Sequence, residues 1–179
     1  VACFYSATMA WNPTAVDTHQ GVRGNPAFAL DAIAYPAPPS AAAMITATRR
    51  RMKELALDGA ALAQAGQAKR TLARYAGFDR LALERTFWQV TKWRSAQRLP
   101  AHAILLGEFG VHRTPFMNTP EGAAARERWL RDMRELAEAH GFAWACWTYA
   151  GAGGFALAED ETGPGFDAAT RRALGLRSP

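Results

Sequence analysis

Residues 104–110, Ile104-Leu105-Leu106-Gly107-Glu108-Phe109-Gly110, are an apolar run that stops at a glutamate held between two glycines. Ile104, Leu105 and Leu106 carry no alternating polar residue, which predicts a strand buried on both faces, as in a parallel sheet covered by helices. Glu108 is then expected where that strand emerges. Gly107 and Gly110 leave room for the backbone to turn and for another group to approach closely, which a merely solvated glutamate would not need.

Working outward, strands alternate with helices. Pro100 precedes the strand that ends at Glu108. Thr119, Pro120 and Glu121 form a helix start, with Trp129, Met133, Leu136 and His140 as its buried stripe and Gly141 as its end. Phe142 to Tyr149 is the next expected strand. Beyond a Gly-rich loop, Asp167 can cap a short last helix that closes at Gly175. On the amino-terminal side, Asp79 can cap a helix through about Gln97 whose Leu83, Phe87 and Val90 share one side, with Trp88 and Trp93 read as packing residues. Ala41 to Ala65 favours helix by propensity, although Gly59 and Gly66 interrupt or end it. Val1 to Tyr5 suits a short buried strand. Between them, residues 6–40 read as a long irregular segment because Pro13, Pro26, Pro36, Pro38 and Pro39 break regular structure, and loops of that length are usually functional or disordered. The rhythm is that of a parallel α/β sheet with crossover helices.

Composition narrows the classes. The 179 residues are 49% hydrophobic and 21% charged, an ordinary globular balance sufficient for one core, so a single domain over 1–179 is expected. Apolar stretches are cut by Arg, Gly or Pro every few residues, which argues against a membrane span. No signal peptide is legible in the opening VACFYS, which lacks an initiator Met, and an upstream segment is expected. Cys3 and Cys146 are too few and too far apart for a disulfide framework or a zinc site, and His19, His102, His112 and His140 show no paired ligand spacing; no metal and no cofactor are expected. The net charge of +5 invites a nucleic-acid reading. Against it, Arg128 and Asp132, Arg131 and Glu135, and Arg134 and Glu138 fall four apart, as on a solvated helix face, and only Arg49 to Arg51 form a basic run, without a nucleic-acid motif.

In parallel α/β folds the working residues gather at the carboxyl ends of strands, which brings Tyr5, Glu108 and Trp147 together. A carboxylate can attack or stabilise an oxocarbenium-like centre, a phenol can hold that carboxylate, and an indole offers a flat apolar surface to a pyranose. Taken singly, each is more often core packing than chemistry, by about three to one for the two aromatics.

LLGEFGVHR, the helix-to-strand stretch RERWLRDMRELAEAHGFAWACWTY, GGFAL and the closing FDAATRRALGL together resemble the carboxyl half of glycoside hydrolase family 5, which includes the cellulases. FYSATMAWNP, THQG and YPAPP resemble that family's sixth-strand exit and following loop. The resemblance covers almost the whole chain and implies a partial (β/α)8 TIM barrel, strands six to eight with their helices, and retaining hydrolysis of a β-linked glucan. It makes Glu108 the nucleophile, Tyr5 its contact and Trp147 the sugar platform. His19 lies near the cleft or braces the THQG loop, Trp11 stacks on a neighbouring sugar or packs its loop, and His112 lines the rim. A β-linked oligo- or polysaccharide is the implied ligand, and a secreted or periplasmic setting the implied location.

Two departures from the family accompany the match. Cys3, Phe4, Tyr5 stand where it usually has His-x-Tyr, and a thiol replaces imidazole hydrogen bonds poorly. A retaining glycosidase also needs a second carboxyl group roughly 5 Å from the first. The family supplies it from an Asn-Glu pair on strand four, but Asn12, Asn25 and Asn118 are not followed by Glu, and Glu159, Asp160 and Glu161 lie in a loop not used for this task. A complete barrel takes about 250 residues, so an amino-terminal half or a partner chain is expected to supply the acid; a binding or vestigial half-barrel without catalysis is the alternative.

Overall fold

The computed structural model describes residues 2–4, 10–11, 32–54, 73, 75–151, 154–158 and 165–177. In chain order these form β1 (Ala2–Phe4), β2 (Ala10–Trp11), α1 (Ala41–Glu54), α2 (Arg80–Ala96), β3 (Ile104–Val111), α3 (Pro120–Ala139), β4 (Ala143–Cys146) and α4 (Ala168–Ala173), with single 3-10 turns at Ala101–Ala103 and Pro115–Asn118. The result is a mixed helix and strand fold around a small parallel sheet.

β3 is the centre of that sheet. Leu106 pairs in parallel with Phe4 on β1 and with Trp144 on β4, and the far end of β3 pairs with β2 at Gly110 and Val111. The strand outruns the sequence expectation, continuing three residues beyond Glu108 to Val111. β4 is shorter than expected: it ends at Cys146, because from Thr148 the backbone bonds to the loop at Phe155 and Leu157 instead of to β3.

The helix starts follow local chemistry. Asp79 accepts from the Ala82 N–H (2.8 Å), Thr119 from Gly122 (3.1 Å) and Asp167 from Thr170 (2.6 Å), each capping the donors that a helix amino terminus leaves unpaired. Gly141 and Gly175 take positive φ of 71° and 66° where α3 and α4 end. Apolar stripes then meet the sheet: Leu83 and Phe87 of α2 and Trp129, Leu130, Met133 and Leu136 of α3 bury against Ile104, Leu106, Phe109 and Val111.

Three expectations change. Trp88 and Trp93 are 52% and 48% exposed and so are not core residues, although the edge of Trp88 meets the His140 ring. His140 caps α3 half-exposed, sharing a 2.8 Å hydrogen bond with Thr91. The charged side of α3 is not a free solvated face. Arg134 and Glu138 do pair along the helix (2.6 Å), but Asp132 accepts from the Tyr35 hydroxyl and from Arg80 (both 2.7 Å), Glu135 also accepts from Arg80, and Arg128 donates to the Tyr35 carbonyl. On the other flank Arg126 donates to Thr170 (2.8 Å), Glu127 takes both arms of Arg172, and Arg134 reaches the Ala173 carbonyl. Residues spaced for intrahelical pairs thus tie α3 to the 32–37 segment, to α2 and to α4.

Candidate active site

The decisive geometry lies within β3. Leu106 pairs with Trp144 and Phe109 with Cys146, so three steps along β3 match two along β4. Gly107 and Glu108 together oppose the single residue Ala145, which is a β-bulge. Side chains alternate along a regular strand, so without the bulge Glu108 would share the helix-covered face of Ile104 and Leu106. The extra residue instead restores Phe109 and Val111 to that face, where both are buried, and leaves Glu108 on the opposite one, exposed. On β4, Trp144 and Cys146 pack against the core while Ala143, Ala145 and Trp147 are exposed. Glu108 and Trp147 therefore occupy the same face, at the carboxyl end of adjacent parallel strands. Leu105, half-buried where two covered faces were expected, belongs to this face as well.

Gly110 sets how closely the strands meet at this end. The Trp147 N–H donates to the Phe109 carbonyl (2.8 Å), and a Cβ on Gly110 would overlap the Trp147 carbonyl oxygen. This is the close approach that the glycine spacing anticipated, and the approaching group is main chain. Trp147 itself is 50% exposed, and its peptide bond to Thr148 is cis.

The residues that follow β3 hold the loop after Trp147. The His112 ring sits edge to face with Phe155 (centroids 5.1 Å apart) and fills the space over Gly154 that a side chain there would need. Arg113 donates from Nε to the Ala156 carbonyl (2.7 Å) and from Nη2 to the Leu157 carbonyl (2.8 Å). Thr148 bonds to Phe155 and Leu157, and Tyr149 to Ala158 (2.8 Å). Arg113 and Tyr149 were not singled out from the sequence, because the loop carbonyls and the ring partner they meet are set by tertiary packing.

Beneath this end lies a buried polar cluster. Arg126 is almost fully enclosed, and burial lowers its pKa against the pull of Asp167. Burial raises the Cys146 thiol to about 12, which leaves it protonated and unreactive at neutral pH, in line with a structural thiol. Among the described residues no group of three His, Cys, Asp or Glu could hold a metal ion, and no helix is long and apolar enough to cross a membrane.

Of the site residues expected from the sequence, Glu108 and Trp147 share one face, and His112 stands one residue beyond β3 against the 154–158 loop. Trp11 belongs to β2, which places its backbone beside Val111. Tyr5 and His19 lie outside the described residues, as do Glu159, Asp160 and Glu161 and the side chains of Cys3 and Trp11.

No protein-family model matches the chain, and no curated protein matches it. Among solved structures it is similar to a hyperthermophilic endo-beta-1,4-glucanase in complex with substrate (28% identity, TM-score 0.41, 54% of this chain and 27% of that one). It is likewise similar to the cellulose synthase subunit Z of Clostridioides difficile (30% identity, TM-score 0.41, 53% and 28%). A third similar structure is an endoglucanase (18% identity, TM-score 0.42, 93% and 38%), and the chain spans well under half the length of each of these three proteins.

Proposed function

We propose that this chain is the carboxyl-terminal part of a retaining β-glycan hydrolase barrel, contributing its strands six to eight, with Glu108 as nucleophile. The observation that carries the reading is the bulge at Gly107–Glu108, which turns the carboxylate away from the helix-covered core and onto the face that also presents Trp147. In a closed barrel that face is the interior and its carboxyl end is the catalytic mouth. Glu108 attacks the anomeric carbon and forms a covalent glycosyl ester. The departing oxygen takes its proton from a carboxylic acid supplied by an amino-terminal half or a partner chain, and water then releases the sugar. Trp147 stacks beneath the sugar ring, Tyr5 holds the Glu108 carboxylate, and His19, Trp11 and His112 line the cleft. The substrate is a β-linked glucan such as cellulose, and so large a polymer fits a secreted or periplasmic enzyme.

A second reading, a carbohydrate-binding protein without catalysis, is favoured by two specific observations. Cys3 stands where the resembled family carries a histidine, and the other described positions on the face of Glu108, namely Leu105, Gly107, Ala143 and Ala145, offer no second carboxyl group. Labelling separates the two. A 2-deoxy-2-fluoro glycoside with a good leaving group should add a mass tag to Glu108 in the complete barrel, and Glu108→Gln should abolish it. Sugar retained without a tag on the unsubstituted protein favours the binder.

A further inference from the structure

The loop that follows β4 displays a second large ring. Tyr149 is 51% exposed, as much as Trp147 two residues earlier, and Thr148 between them is more enclosed. Two residues span at most about 7 Å of backbone, so Trp147 and Tyr149 leave the main chain at neighbouring points of the same sheet end. Tyr149 is also held firmly. Its carbonyl accepts from Ala158 (2.8 Å), Ala158 bridges to Phe166, and the Phe166 ring meets Tyr149 edge to face with centroids 5.4 Å apart. Arg113 pins the same loop through the carbonyls of Ala156 and Leu157. The phenol is thereby held against the Phe166 ring while half of the residue stays in water.

Resting on the reading of Trp147 as a sugar platform, we propose that Tyr149 is a second carbohydrate-stacking residue, which extends the site along a β-1,4-linked chain beyond the sugar held at Trp147. An aromatic ring offers the apolar C–H face of a pyranose a flat surface, and a ring immobilised before binding loses little freedom when the sugar arrives. The stacking face is what matters, so the hydroxyl is dispensable.

The test is a chemical-shift titration of the complete barrel with cellotetraose. Tyr149→Ala and Tyr149→Gln should each weaken binding about three- to tenfold while Tyr149→Phe retains it, with circular dichroism matching the parent. Trp147→Ala should weaken it as well. If Trp147→Ala weakens binding and the Ala and Gln variants at Tyr149 do not, this inference alone fails. If Trp147→Ala is neutral, or the unsubstituted barrel does not bind cellotetraose, the underlying reading of the site fails and this inference falls with it.

Discussion

At the scale of the residue, position in the register outweighs chemical type. Glu108 is one carboxylate among many, and the bulge beside Ala145 gives it a direction. Gly110 is small because the Trp147 main chain lies against it. Gly110→Ala should push that backbone aside and cost about 1–3 kcal/mol of stability, measured by thermal unfolding, and should weaken oligosaccharide binding through displacement of Trp147. An unchanged melting temperature would contradict the close approach. Asp167 illustrates pH linkage. Burial alone would raise its pKa, yet the Thr170 N–H and the Arg126 charge overcome that and hold it below its ordinary value. A lowered folded-state pKa stabilises the protein above the unfolded value and ceases to do so as pH falls through the folded one. The parent should therefore lose stability on acidification below about pH 4, and Asp167→Asn should flatten that part of the profile in urea titrations at several pH values.

At the scale of the element, α3 shows how a local pattern can be right in spacing and wrong in partner. Its start, its apolar stripe and its end were legible in Thr119-Pro120-Glu121, in Trp129, Met133 and Leu136, and in Gly141, because caps and periodicity act within a turn or two. Its charged residues were assigned to one another by their i,i+4 spacing. In the fold, Asp132 instead receives Tyr35 from 97 residues away and Arg80 from α2. Burial together with that carboxylate raises the pKa of the Tyr35 phenol, which stays protonated as a donor. Asp132→Ala should leave this hydroxyl and Arg80 short of a partner and cost about 1–3 kcal/mol in urea unfolding, well beyond the range of an exposed helix pair. A loss of only a few tenths of a kcal/mol would return Asp132 to the solvated role. Trp88 and Trp93 failed for the converse reason: large apolar residues are not obliged to be inside.

At the scale of the whole molecule, the described sheet covers one face with helices and leaves Leu105, Ala143, Ala145 and Trp147 on the other less enclosed. Under the proposed reading that surface is the barrel interior. Under the proposed mechanism this chain on its own lacks the general acid, whose loss typically removes about 10² to 10⁴ of rate, so turnover of a soluble β-glucan should be negligible. Hydrolysis at ordinary enzyme rates by the purified chain would overturn the mechanism. In size exclusion with light scattering the isolated chain should associate, and a stable monomer would count against completion by a partner.

The sequence by itself determined what depends on neighbours a few residues apart. Helix caps at Asp79, Thr119 and Asp167, the glycine stops, the apolar stripes and the parallel α/β rhythm all follow from local donors, propensity and periodicity. Only the tertiary structure decided which face Glu108 occupies, since a single extra residue opposite Ala145 reverses the side to which every later side chain points. It likewise decided what α3's charges hold and why Arg113 and Tyr149 matter, because those partners are brought together by the packing of segments distant along the chain.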